Sequence, residues 1–276
     1  LRQDQDRLYG RGTADNKAQH LINIQAQECV IAARGKLGFN AAWLIEMGEE
    51  TGSPGLEAFC QENQDLLGAQ VLIASDGPRL SPDVPLVFLG ARGAINFTLS
   101  VELRKGAHHS GNWGGLLTDP SVILAHALST ITNARGQIQV PEWHPTSLTP
   151  DIRALIAKLP LPVGPAIDRD WGDAALTPQE RVYGWNAFAV LAMESGVPAA
   201  PVNAISGHAK ATCQLRFVTG TDVDDILPAL RRHLVRAGFP QVRIDRSDNG
   251  FFPATRSDPD NPWVARVITS LRKTLG

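Results

Sequence analysis

Cysteine is scarce in this chain: Cys29, Cys60 and Cys213 are the only three among 276 residues, far apart and without a Cys-x-x-Cys spacing. That excludes a disulfide framework and a thiolate zinc site, and it sets a reducing, cytoplasmic compartment as the expectation. Charge of one sign is lacking too. With 26 basic and 28 acidic residues the formal net charge is −2, and no basic stripe interrupts the chain, so neither nucleic acid nor an anionic membrane is expected as partner. No apolar run reaches the length of a membrane span, and the first residues lack the pattern of a secretory signal. A small neutral or zwitterionic substrate suits this balance. The 43% hydrophobic content and the length allow real cores in two domains.

What is present is a series of three acidic signals: Asp15 in Gly-Arg-Gly-Thr-Ala-Asp-Asn-Lys, Glu49-Glu50 in Met-Gly-Glu-Glu-Thr-Gly-Ser, and Asp76 in Ala-Ser-Asp-Gly. Each sits where an apolar stretch meets a loop. Between them the pattern predicts a helix over 17–33, a strand over 41–46, a helix over 55–67 and a strand over 70–75. That alternation reads as α/β. Strands joined through a helix are normally parallel, and open sheets of this kind bind ligands beyond the carboxyl ends of their strands, where Glu49, Glu50 and Asp76 fall.

A further strand is expected over 86–89, and the turn residues Gly90-Ala91-Arg92-Gly93 mark a change of pattern. Strands over 94–103 and 241–245, a long strand or hairpin over 203–218, and helices over 118–133 and 221–237 then suit a small α+β layer. The stretch from Gln137 to Gly196, rich in Pro, Gly and Trp, reads as an irregular insertion with a helix over 150–158. The expected organisation is a catalytic domain over 1–90 and 250–276, with a mixed, mainly parallel sheet flanked by helices, interrupted by an inserted α+β, ferredoxin-like lid and dimerisation domain over 91–249.

Alone, Asp15 could cap a helix, Glu49-Glu50 could be a solvated loop pair, and Asp76 could form a turn. Together at successive strand ends they suit metal-assisted hydrolysis. Neighbouring side chains on an extended backbone point apart, so one glutamate can hold a metal while the other faces a water and accepts its proton.

These residues resemble the cocatalytic dinuclear metallopeptidases, a family that includes carnosinase-type dipeptidases, aminoacylases, acetylornithine deacetylase and succinyl-diaminopimelate desuccinylase. The resemblance rests on Gly10 to Lys17, Glu49 to Ser53, Ser75-Asp76 and His109-Ser110-Gly111 with Gly114-Gly115. The last of these, with Gly90 to Gly93, looks most like the carnosinase-type dipeptidase branch. The resemblance implies two divalent metal ions, zinc most commonly and manganese in some dipeptidases. Asp15 would bridge them, Glu50 and Asp76 would each bind one, and Glu49 would be the general base. It also implies a cis peptide between Asp15 and Asn16, an oxyanion role for His109 that often reaches into a partner subunit, and substrate contacts from Asn203 and Arg216. Substrates would be small peptides or N-acyl amino acids, and the protein a homodimer through its lid. A noncatalytic peptide-binding or dimerisation homologue and an N-acyl-amino-acid deacylase are the rival readings.

The chain departs from the family in its histidines. No histidine precedes Asp15, and the last is His233, whereas members carry a His-x-Asp motif upstream and a metal-binding histidine near the C terminus. The expectation is that both terminal segments are absent and that these 276 residues alone bind two metals poorly and are inactive, because oxygen-only zinc sites are weak. His20, His126, His144, His208 and His233 show no ligand spacing, and His108 has no assigned role. Trp143, Trp171 and Trp185 are expected to pack the insertion.

Overall fold

The computed structural model describes residues 1–76, 85–161 and 167–275, with the backbone alone at 248 and 249. The chain divides into two compact units, Leu1–Phe88 with Asp260–Gly276, and Leu89–Pro259.

In the first unit, β1 (Arg2–Asp4) and β2 (Arg7–Tyr9) pair antiparallel. Then comes α1 (Lys17–Arg34), which ends at Gly35 with φ 75°, its N–H donating to the Ile31 carbonyl. A glycine takes this left-handed position without the Cβ clash that would strain another residue. The helix expected over 55–67 is two pieces, α2 (Leu56–Glu62) and α3 (Gln64–Leu67). Asn63 divides them, its side-chain amide donating to the Phe59 carbonyl at 2.8 Å and so competing with the helical ladder. A helix over Pro262–Leu275 also belongs to this unit.

The chain is α/β as expected, but 41–46, 70–75 and 86–89 join no ladder among the described residues. Parallel pairing is found where both faces are covered. Here Leu44, Ile45, Leu72 and Ile73 stand 42, 49, 89 and 72% exposed, so the apolar faces that would accompany such a sheet are bare. The turn read at 76–78 runs past Asp76 into residues outside those described.

The second unit contains β3 (Gly90–Ala91), β4 (Gly93–His109), α4 (Ser110–Trp113), α5 (Pro120–Ile131), α6 (Pro150–Ile156), β5 (Ala187–Ser195), β6 (Ala204–Phe217), α7 (Ile226–Arg236), β7 (Arg243–Phe252) and β8 (Thr255–Arg256). Strands β5-β6-β4-β7, in that spatial order, form one antiparallel sheet, and β3 pairs with β8. With α5 after β4 and α7 after β6, this is the split βαβ arrangement expected of a ferredoxin-like layer.

Alternation explains why it folds. On β6, Ala211, Cys213, Leu215 and Phe217 are fully buried, and Lys210 and Arg216 point to the other face. Phe97, Leu99 and Val101 of β4 join them, together with Leu124, Ala127 and Ile131 of α5 and Ile226, Leu230 and Leu234 of α7. These helical positions recur every three or four residues, the spacing of one buried stripe. Pro120 begins α5, and the Asp119 side chain accepts from the Ser121 N–H at 2.8 Å. Burial pushes the Cys213 thiol up to about 12, the state of an inert core sulfur.

The insertion is tied to this core by Trp143, fully buried, whose ring N–H donates to the Ile226 carbonyl at 2.9 Å. Trp171, by contrast, is 58% exposed. The insertion also supplies β5, an edge strand absent from the sequence expectation. Among the described residues, no helix is long and apolar enough to cross a membrane.

Candidate active site

The loop before α1 is shaped by its own hydrogen bonds. The Gly10 carbonyl accepts from the Thr13 hydroxyl at 2.8 Å, and the Gly12 carbonyl accepts from the Lys17 N–H at 2.7 Å. Gly12 has φ 79°, and the peptide between Asp15 and Asn16 is cis, as the resemblance implied. Asn16 is the residue at the helix N-terminus and no side chain caps it, so Asp15 is not spent on capping.

Two amides on one face of α1 reach the third acidic signal. Asn16 and Asn23, seven residues apart, donate to the Ser75 carbonyl at 3.5 Å and to the Ser75 hydroxyl at 2.7 Å. Asp76 follows directly. The Glu49-Glu50 signal lies in a 3-10 turn, Glu49–Thr51, where the Gly48 carbonyl accepts from the N–H groups of Thr51 and Ser53 at 2.9 Å each. Arg11, from the loop leading to Asp15, contacts Glu50 at 2.7 Å. Both ends of that pair are exposed, so its worth lies in placing the two loops side by side rather than in stability.

Electrostatics shows the convergence. The Glu49 carboxyl is raised above its ordinary value by loss of surrounding water, although the residue is exposed, and then by the charges of Asp76, Glu50, Asp15 and Glu46. All three signals therefore act on one carboxyl. Crowded carboxylates are hard oxygen donors whose mutual repulsion a divalent cation relieves, so the donor chemistry fits such an ion. A closed site is not formed, however: among the described residues no group of three or more His, Cys, Asp or Glu side chains is placed to hold a metal.

The remaining expected groups lie in the second unit. His109 ends β4 opposite Ala204, next to Asn203, whose carbonyl accepts from the Ser110 N–H at 2.9 Å and from the Ser110 hydroxyl at 3.1 Å. The Gly111 N–H donates to His109 Nδ1 at 3.1 Å, which puts the proton of the neutral ring on Nε2. A Cβ at Gly111 would stand 2.9 Å from the His109 ring. Arg216 lies near the other end of the same ladder, opposite Ala94. Arg216 lies twelve positions beyond Ala204 along β6, an extended span of about 40 Å. The structure thus keeps His109 and Asn203 together and holds Arg216 apart from them.

Two contributors escaped the sequence reading. Glu46, whose Oε1 accepts from the Gly48 N–H at 2.8 Å, adds to the charge on Glu49; its place three residues before Glu49 was the available signal. Arg11 was read only as part of a motif. His144 and His233 have structural partners, the Ile138 carbonyl at 3.3 Å and the Thr130 carbonyl at 2.8 Å.

Comparison with known proteins follows the same lines. The model of the peptidase family M20/M25/M40 matches residues 1–276. The chain is 35% identical over 137 residues to the Beta-Ala-His dipeptidase of Rattus norvegicus, covering 49% of this chain and 28% of that protein. It is 26% identical over 283 residues to the Cysteinylglycine-S-conjugate dipeptidase of Corynebacterium striatum, covering 98% of this chain and 60% of that protein. Its fold matches the crystal structure of an M20 family metallo-carboxypeptidase from Sulfolobus solfataricus with a TM-score of 0.79 and 24% identity, over 100% of this chain and 64% of that one. In each case the chain spans less than two thirds of the relative's length.

Proposed function

The chain belongs to peptidase family M20/M25/M40, and from that membership we propose that it is part of a metal-dependent enzyme hydrolysing a peptide or amide bond in small substrates. The observation that carries this reading is the grouping of the acidic loops: Arg11, from the loop leading to Asp15, contacts Glu50 at 2.7 Å, and Asn16 and Asn23 hold Ser75, the neighbour of Asp76, while the charges of Asp76, Glu50, Asp15 and Glu46 all act on Glu49. The dipeptidase names of two relatives support dipeptides as the substrate class.

Asp15, Glu50 and Asp76 are the residues that would hold two divalent ions, zinc or manganese. Such ions supply Lewis-acid polarisation of a carbonyl and acidify water. Among the described residues no closed group of donors is formed, so we expect these residues to take up zinc weakly.

Glu49 is the proton carrier. A carboxylate whose proton affinity is raised by loss of surrounding water and then by its acidic neighbours is a better base than an ordinary glutamate, and it can return the proton to the departing amine. His109, with its proton on Nε2, donates a hydrogen bond to the oxyanion. Arg216 takes the substrate carboxylate with its planar fork, and Asn203 contacts the substrate. The long separation of His109 and Asn203 from Arg216 supports a homodimer in which these two residues serve the active site of a second copy. The second unit would then act both as lid and as dimerisation domain, and the unpaired Cys29, Cys60 and Cys213 suit a cytoplasmic setting.

The test compares turnover of dipeptides with that of N-acetyl and N-succinyl amino acids by the full-length protein loaded with zinc or manganese. Dipeptide turnover is the expected result. Preference for N-acyl substrates would make it a deacylase, and neither turnover nor bound metal would leave a noncatalytic homologue.

A further inference from the structure

The sheet of the second unit has one face covered by α5 and α7 and a second face carrying Ala94, Asn96 and Thr98 of β4 opposite Arg216, Gln214 and Thr212 of β6. On that second face a chain of hydrogen bonds orients one guanidinium. Gln214 Nε2 donates to Asn96 Oδ1 at 2.8 Å, and Arg216 Nε donates to Gln214 Oε1 at 3.0 Å. Among the described residues only the Nε side of the Arg216 fork is used, so its outer edge is held in place to grip a second group.

Arg92 lies two residues before Ala94, the ladder partner of Arg216, which makes it the diagonal neighbour of that arginine. It is half-buried, and its Nε and one terminal nitrogen are buried with no hydrogen-bond partner among the described residues. Burial, and after it the charge of Arg216, holds the Arg92 guanidinium below its usual value. A guanidinium does not escape such a position by losing its proton, because its affinity for it is too high. An unpartnered buried cation beside a like charge is an unfavourable arrangement in the free protein, and an anion between the two guanidiniums removes both penalties at once.

We infer that Arg92 and Arg216 form a two-arginine carboxylate site, with Arg92 a substrate-binding residue and the Asn96–Gln214 pair positioning Arg216. The inference rests on the reading that Arg216 takes the substrate carboxylate, and it adds that the site demands a full negative charge. Ligands with a free carboxylate are therefore preferred over their amides.

The experiment uses this chain and does not need turnover. N-acetylglycine, and N-acetylglycinamide as its uncharged counterpart, are titrated calorimetrically into wild type, Arg92→Met, Arg92→Lys and Arg216→Met, and the melting temperature of each is recorded without ligand. N-acetylglycine should bind wild type and the amide should not. Arg92→Met should melt about 2–4 °C higher in the absence of ligand, because a buried unpaired charge is gone. The same change should weaken N-acetylglycine by about tenfold or more, because a charge-assisted bond is gone. That opposition of signs separates a ligand-binding role from a structural one, since a structural arginine would leave a less stable protein.

Unchanged affinity in Arg92→Met overturns the inference, as does a lower melting temperature with unchanged affinity in Arg92→Lys. If Arg92→Met does not fold, Arg92→Lys decides alone: weaker binding supports the site, and wild-type binding refutes it. Affinity untouched by Arg216→Met would instead sink the underlying reading of Arg216.

Discussion

The two units of this chain differ in how they are held. In the second, Phe97, Leu99, Trp143, Leu215 and Phe217 are fully buried in one cluster; in the first, no described residue is buried. The acids proposed for chemistry all lie in the open unit, while the substrate-gripping groups are mounted on the packed one. Packing and chemistry are thus separated along the chain. Removing a side chain should be costly in one unit and nearly silent in the other, whereas removing a charge should matter to catalysis mainly in the first.

The largest effect on stability belongs to the packed sheet. Phe97→Ala removes a ring that meets Trp143 and Phe188 edge-on or tilted at 6.3 Å and should cost about 3–5 kcal/mol in denaturant unfolding. Leu72→Ala in the first unit, 89% exposed, should stay within about 0.5 kcal/mol. Equal costs would break the comparison.

A smaller effect is expected at Glu180. Its carboxylate is buried, accepts from the Thr177 N–H at 2.8 Å and pairs with Arg153 at 2.5 Å. Burial, the largest influence, raises its proton affinity, but the Thr177 N–H, Arg153 and the Thr177 hydroxyl together hold it below the ordinary value. Glu180→Gln should cost about 1–3 kcal/mol at neutral pH, read from the denaturation midpoint.

The smallest effect is a difference in sign. Glu180 is lowered in the fold, so its stabilisation is complete above the ordinary glutamate range and is lost as pH falls through its lowered value. Glu49 is raised, so the folded chain holds its proton longer than the unfolded one, and stability falls as pH rises from the ordinary range through that raised value. Melting temperatures between about pH 3 and 7 should show one slope vanish in Glu180→Gln and the opposite slope vanish in Glu49→Gln. Slopes of the same sign would contradict the electrostatics described for one of the two sites.

The packed unit was also the more legible one in the sequence. Strict alternation over Ala211 to Phe217 foretold both the buried face and the exposure of Arg216, and Asp119-Pro120 marked the start of α5. The edge strand β5 was hidden because Phe188 to Met193 is a continuous apolar run without a period of two, set in a stretch rich in Pro and Trp. In the open unit the segments 41–46 and 70–75 carry strand-like composition, but composition cannot supply a ladder partner. The site divides in the same way. Asp15, Glu49, Glu50 and Asp76 were visible as motifs, whereas the tying of Arg11 to Glu50 and of Asn23 to Ser75 depends on spatial neighbours that no local spacing reveals.

The central claim is that Glu49 moves the proton, and Glu49→Gln in the full-length, metal-loaded protein tests it most directly. The account predicts that kcat for a dipeptide falls by about 10²–10⁴, with metal content and melting temperature at neutral pH close to wild type. A variant that keeps wild-type kcat would contradict it.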